Sequence, residues 1–171
     1  QESRAIGIHS FTLEVILKQL GLTEEFKQRG NVIQRLQFEE KGEILVNIDL
    51  PRFICSIPQN ITEEILNRGI EVQRGIECVY VDEMGNARLK RQDQLIEEDR
   101  FDLIVGADGT HSLVRQMVGI EFKGKSYPQT WSLKDVQFDH PPTEVNTGSI
   151  QLHDDGILLF MMAIGPKTFR V

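Results

Sequence analysis

Apolar residues recur at three- and four-residue spacing in HSFTLEVILKQLGL, so that Leu13, Ile16, Leu17 and Leu20 line one face of a predicted helix. Ser10 stands where it can cap the start, and Gly21 where it can end the helix in the left-handed conformation. TEEFKQRG repeats the scheme in miniature, with Thr23 as cap, Glu24 and Glu25 in the first turn and Gly30 as stop. VIQRLQFEEKGEILVNIDL then reads as two strand-like runs about Lys41 and Gly42, a hairpin over 33–49. PQNITEEILNRG is a short helix between Pro58 and Gly69. IEVQRGIECVYVDEMGNARLKR reads as a strand followed by a hairpin turning at Met84, Gly85 and Asn86.

Leu103, Ile104 and Val105 form an apolar run without alternation, the pattern of a strand covered on both faces. This predicted strand, 102–107, ends in Gly106-Ala107-Asp108-Gly109 and passes into a predicted helix over 110–118. After Gly119 the helical period stops. KSYPQTWSLKDVQF, GSIQLHDDGILLFMMAIG and KTFRV read as strands, with Asp154-Asp155-Gly156 as a tight turn. The pattern therefore predicts an α/β chain, α+β overall. Its boundary falls near residue 120, with a mixed part over 1–120 and a sheet-rich part over 121–171. The 33–49 hairpin can belong to either part, because one sheet can collect strands distant in sequence. No internal repeat or low-complexity segment is present.

Composition narrows the partners. A chain of 171 residues with 40% hydrophobic and 26% charged residues is ordinary for a globular protein. Its net charge of -7 argues against nucleic acid or an anionic membrane as a general partner, while leaving a local anion site possible. No apolar run approaches the roughly 20 residues of a membrane helix, and no signal-peptide pattern opens the chain. Cys55 and Cys78 have no metal-like spacing and read as reduced thiols of a cytoplasmic protein. The chain opens without Met and stops inside a strand-like run, so the expectation is a piece of a larger protein.

The chemistry concentrates at Asp108, a carboxylate between glycines where a buried strand meets a helix. Ligands of α/β sheets bind beyond the carboxyl ends of strands, and the free N–H groups of a following helix attract anions. A second reading is open at this point: Asp108 or Thr110 caps the helix and does nothing more.

The wider pattern is more specific. DLIVGADGTHSLVRQMVGI resembles the DG motif of the FAD-dependent aromatic hydroxylases, the para-hydroxybenzoate hydroxylase-like class A flavoprotein monooxygenases. SRAIGIHSFTLEVILKQLGL is similar to that family's RAxGxxxxTLExLxxLG segment, and IPQNITEEIL and GKSYPQTWSLKDV fall in the family's order. The resemblance implies part of an FAD-binding Rossmann-like domain plus a largely antiparallel substrate-domain sheet, which the 33–49 hairpin joins. It implies FAD and NAD(P)H as cofactors, a phenolic small molecule as substrate, and hydroxylation through a flavin C4a-hydroperoxide. A homo-oligomer stays open, and no metal site is expected. A flavin-dependent halogenase or reductase relative and a non-catalytic remnant of the fold are the alternatives.

By the same resemblance, Arg4 reaches the FAD phosphates, and Asp108 with Gly109 belongs to the motif around it. A carboxylate beside a pyrophosphate is repulsive unless it orients an arginine, whose fork of donors can meet both groups. Gln59 matches the glutamine beside the flavin ribityl chain and ring, or else is a helix-start residue bonding its own backbone. His111 stands where some relatives carry a histidine implicated in NAD(P)H binding, or else simply occupies a first helical turn. Ser112 and Arg115 support the motif's shape. Phe160, Met161 and Met162 lie on a strand that borders the substrate cavity in the family, although paired methionines in a strand also suit core packing. Phe11 stands where many relatives have Arg. The family's GxGxxG and GD motifs are not among these residues, and the chain runs short of the family pattern at 50–57 and 64–69.

Overall fold

The computed structural model describes residues 6–92 and 94–171. Its contacts form two units that differ from a single cut near residue 120. One takes the residues up to Ile70 together with Thr130–Val171, and the other is Glu71–Gln129. Among the described residues no helix is long and apolar enough to cross a membrane.

The first unit is built on a seven-stranded sheet. Its strands are β1 (Gly7–His9), β2 (Asn31–Glu40), β3 (Glu43–Ser56), β7 (Asp135–Gln137), β8 (Thr147–Leu152), β9 (Leu158–Ala163) and β10 (Thr168–Arg170). The order is β1-β3-β2-β8-β9-β10-β7, and every pairing is antiparallel except β2 with β8. The predicted hairpin does join the strands that follow residue 130. Lys41 and Gly42 both take positive φ at its turn, as a tight two-residue connection requires. β3 runs unbroken through 50–56, where the family pattern is longer.

Strand alternation gives this sheet two different faces. The pairings Phe38–Val46, Phe38–Ile150 and Ile150–Phe160 build an apolar face, extended by Leu36 opposite Ile48. The other face carries Arg35 opposite Asp49, Gln37 opposite Asn47 and Ser149, and Glu39 opposite Gln151. There Ser149 Oγ and Gln37 Nε2 both donate to Glu39 Oε1 at 2.7 Å, and Gln151 Nε2 donates to Oε2 at 3.1 Å. Two strands 110 residues apart in sequence are thus tied by side chains as well as by backbone.

Helices pack near the β1–β3 end. Leu13, Leu17 and Phe26 meet Cys55, Ile57 and Ile65 in one buried cluster. The helix predicted from residue 10 forms, but Thr12–Leu17 winds as a π-helix. Leu13 and Leu17 lie inside, while Ile16 is 50% and Leu20 63% exposed, against the single apolar face expected. Ser10 is buried and already helical, and the residue at the cap of the π-helical stretch is Phe11, which has no side-chain cap. Thr23 does not cap α1 (Thr23–Arg29) either; its hydroxyl donates to the Leu13 carbonyl at 2.6 Å and ties the two helices together. Gly30 ends α1 because space demands it: a Cβ there would lie 2.7 Å from Cys55 Sγ and 2.9 Å from the Ser56 carbonyl. α2 (Gln59–Leu66) docks through ions, with Arg29 bidentate to Glu64 at 2.8 Å and Arg68 reaching Glu25 at 2.8 Å.

The second unit is a three-stranded antiparallel meander, β4 (Glu77–Val81), β5 (Asn86–Arg91) and β6 (Gln94–Arg100), with α3 (Leu113–Met117) against β4. Asp82 organises the turn at 82–86, accepting from the Met84 and Asn86 N–H groups and the Asn86 amide. A Cβ at Gly85 would lie 2.1 Å from the Phe101 carbonyl, so only glycine fits that approach. Three expectations fail in and beside this unit. Residues 70–76 are not strand, and β4 begins only at Glu77. Residues 120–134 are likewise not strand. Most consequentially, 102–107 is not a strand: it has no partner among the described residues, and Leu103 and Val105 stand 79% and 76% exposed. A strand is a property of a pair, and an apolar run without a ladder neighbour stays extended but unassigned.

Candidate functional site

The run after residue 105 folds as a turn closed by its own helix. Gly106 passes against Val114, where a Cβ would come within 2.7 Å of the valine Cβ. Gly109 takes φ +82°, a left-handed conformation that favours glycine, and nothing lies within 4 Å of where its Cβ would be. Between them Asp108 turns inward on the helix. Its Oδ1 accepts from Ser112 Oγ at 2.5 Å, and its Oδ2 accepts from the N–H of Leu113 at 2.6 Å and of Val114 at 3.3 Å. Ser112 Oγ in turn accepts from the Arg115 N–H at 3.0 Å. Ser112 is thus the side-chain cap of α3, with Asp108 capping beside it, and Thr110 is not. The Ser112 hydroxyl above all holds the Asp108 carboxyl below its ordinary range; burial, next in size, opposes it, and the backbone donors add smaller lowering effects.

The neighbouring residues are open. His111 is exposed, and its backbone carbonyl accepts from the Gln116 amide at 3.1 Å. The Arg115 guanidinium lies over the Phe122 ring at 4.7 Å. Within the same unit Leu103 and Ile104 line a cleft of ≈ 300 Å³ with Met84, Phe101, Val114 and Val118. The apolar run thus walls a cleft instead of filling a sheet.

The other expected site residues belong to the first unit. Gln59 opens α2, and its amide donates to Glu63 Oε1 at 2.9 Å, one turn along the same helix. Phe160 lies on the apolar face of the sheet, as the register with Ile150 requires, and Met161 and Met162 beside it are buried. Phe11 is exposed. Arg4 lies outside the described residues, and with it the expected pairing of Arg4 with Asp108. Both cysteines are free; burial pushes the Cys55 thiol up to about 11. One feature had no sequence signal: Ser56 Oγ is sealed between strands without a hydrogen-bond partner among the described residues. Ser112 did have one, as a serine immediately before LVRQM, but the two nearer candidates masked it.

Comparison with known proteins adds an independent line. The model of a family described as FAD binding domain matches residues 1–168. The 6-methylpretetramide 4-monooxygenase of Streptomyces rimosus is 33% identical over 153 residues, covering 80% of this chain and 27% of that protein. An uncharacterized aromatic compound monooxygenase of Bacillus subtilis, YhjG, is 30% identical, covering 99% of this chain and 35% of that protein. The crystal structure of p-nitrophenol 4-monooxygenase PnpA from Pseudomonas putida DLL-E4 superposes with a TM-score of 0.79 at 16% identity, over 99% of this chain and 47% of that one. At that identity the likeness is one of fold. The chain spans about a third of the length of the curated relatives it matches.

Proposed function

The chain belongs to the FAD binding domain family, and on that premise we propose that the whole protein is an FAD-dependent monooxygenase. It uses NAD(P)H to place one oxygen atom on a phenolic small molecule. The observation that carries this reading is the closed turn at 106–115, within a chain matched along almost all its length by a flavin-binding family. Relatives named as monooxygenases of aromatic compounds support it.

The turn fits a bound dinucleotide in two respects. Asp108 already accepts three hydrogen bonds from its own helix, so its charge is partly spent locally and repels a nearby pyrophosphate less. Gly109 leaves clear space where any other residue would project a side chain. When bound, FAD supplies the redox chemistry, taking electrons from the nicotinamide and activating oxygen. The protein's own residues bind, orient and exclude water. Arg4 holds the phosphates and Gly109 admits the cofactor to the backbone, while Asp108 orients the arginine. Gln59 would lie beside the flavin side chain, and His111 would meet the nicotinamide nucleotide. Phe160 and the apolar sheet face receive the aromatic ring and keep water from it. The substrate domain corresponds to the strands that follow residue 130 together with the 33–49 hairpin. A cytoplasmic location completes the proposal.

The test is made on the full-length protein. It purifies yellow with a flavin spectrum, consumes NAD(P)H faster when a phenol is added, and releases a product heavier by one oxygen atom. A folded, colourless protein that takes up no added FAD would refute the proposal.

A further inference from the structure

A second cleft, ≈ 390 Å³ in volume, opens within the first unit, between Ser10 and Glu14 on one side and the 49–53 stretch of β3 on the other. Its charges pair incompletely. Arg35 Nε donates to Asp49 Oδ1 at 2.9 Å, so these two neutralise each other. Arg52 and Glu14 line the same cleft, and neither side chain has an ion pair or hydrogen bond among the described residues. They do not pair with one another either. Two opposite charges facing one space without meeting leave room for something that meets both.

A buried donor points the same way. Ser10 is 2% exposed, and its hydroxyl has no hydrogen-bond partner among the described residues. Ser10 itself lines the cleft. A hydroxyl so deeply buried is ordinarily bonded, because leaving it unpaired away from water is costly. Phe53 and Pro51 supply an apolar wall.

We propose that this cleft binds a small zwitterion of the aromatic α-amino acid class. Its carboxylate is held by Arg52 and the Ser10 hydroxyl, its ammonium group by Glu14, and its ring lies along Phe53 and Pro51. A plain anion would face Glu14 and Asp49, and a plain cation would face Arg52 and Arg35. Only a ligand carrying both signs satisfies both free groups, and charge-assisted hydrogen bonds at each end give it orientation. The observations that carry this site involve neither the flavin nor the proposed hydroxylation.

Calorimetric titration of the full-length protein with L-phenylalanine, 3-phenylpropionate and 2-phenylethylamine tests it, since the three share a ring and differ in charge. Phenylalanine is expected to bind at least about tenfold more tightly than either analogue. Arg52→Gln reduces its affinity to that of the amine, Glu14→Gln to that of the acid, and Arg52→Lys retains most of it. Ser10→Ala weakens the two carboxylates and leaves the amine unchanged. Both charged side chains are exposed and unpartnered, so their substitution leaves the fold intact, which an unchanged melting temperature verifies. Equal affinities for the three probes, no measurable binding, or indifference of phenylalanine to Arg52→Gln would overturn the proposal.

Discussion

Asp108 shows how one side chain serves two accounts that the sequence left open. Its oxygens are committed to Ser112 and to the first N–H groups of α3, which is the cap reading. The cofactor reading requires in addition that its charge orient Arg4. Asp108→Asn separates the two, because an amide oxygen still accepts from a helix N–H while the charge is gone. The lowered folded pKa means that Asp108 contributes stability above the ordinary carboxylate range and loses it as pH falls through the folded value. Melting curves from neutral pH to about pH 2.5 are therefore expected to converge for Asp108→Asn and the parent at the acid end. FAD affinity of the full-length variant is expected to fall by an order of magnitude or more at neutral pH. Unchanged affinity with only a lower melting temperature would return Asp108 to a purely structural role. Ser112→Ala, which removes the cap and the hydrogen bond it gives Asp108 but keeps the Asp108 charge, is the matched comparison and costs roughly 1 kcal/mol of stability.

Elements meet here through ions as much as through apolar surface. α1 and α2 share a small buried cluster, and outside it Arg29, Arg68, Glu25 and Glu64 form a continuous network. Arg29 first, and then Arg68, lower the Glu64 carboxyl from 4.5 to about 2. The sign follows directly: a depressed folded pKa stabilises above 4.5, and the contribution disappears as pH falls from there toward about 2. The groups are solvated, so screening keeps the effect modest. Hydrogen-exchange protection of the α1 and α2 amides, taken relative to the intrinsic rate at each pH, is expected to fall over that acid interval in the parent and to fall less in Glu64→Gln, where the Glu25 pairs remain. High salt at neutral pH should mimic the substitution. Acid-insensitive protection in the parent would show that the apolar cluster alone docks the two helices.

Over the whole molecule, the first unit is assembled from segments separated by 59 intervening residues, Glu71–Gln129. Its seam is the parallel pairing of β2 with β8. Gly148 sits on that seam opposite Leu36, and a Cβ there would approach the Leu36 Cδ2 to 2.9 Å. Gly148→Val forces a larger side chain into this contact and is expected to destabilise the unit by about 1–3 kcal/mol, as overpacking generally does. Denaturant unfolding measures the loss, and exchange of the β2 and β8 amides locates it. A variant as stable as the parent would mean that the seam yields at little cost, by a shift of the leucine rotamer.

What the sequence determined by itself was local. The α1 and α2 helices, the Lys41–Gly42 turn, the Asp82–Asn86 turn and the strand-turn-strand about Asp154–Gly156 all formed near their predicted places. Each is closed by hydrogen bonds a few residues long, so the information that specifies it lies inside one window. The motif around Asp108 was legible for the same reason, and the family followed from it. The tertiary structure decided everything that needs a distant partner. β6 forms from a charged stretch because β5 offers it a ladder, whereas the far more apolar 102–107 does not form a strand because no described neighbour does. Ile16 and Leu20 stand exposed although their spacing is helical, and Thr23 gave its hydroxyl to another helix instead of its own. Residue patterns state what a segment is able to bury or bond; whether a partner stands there to receive it is settled only when the chain has closed on itself.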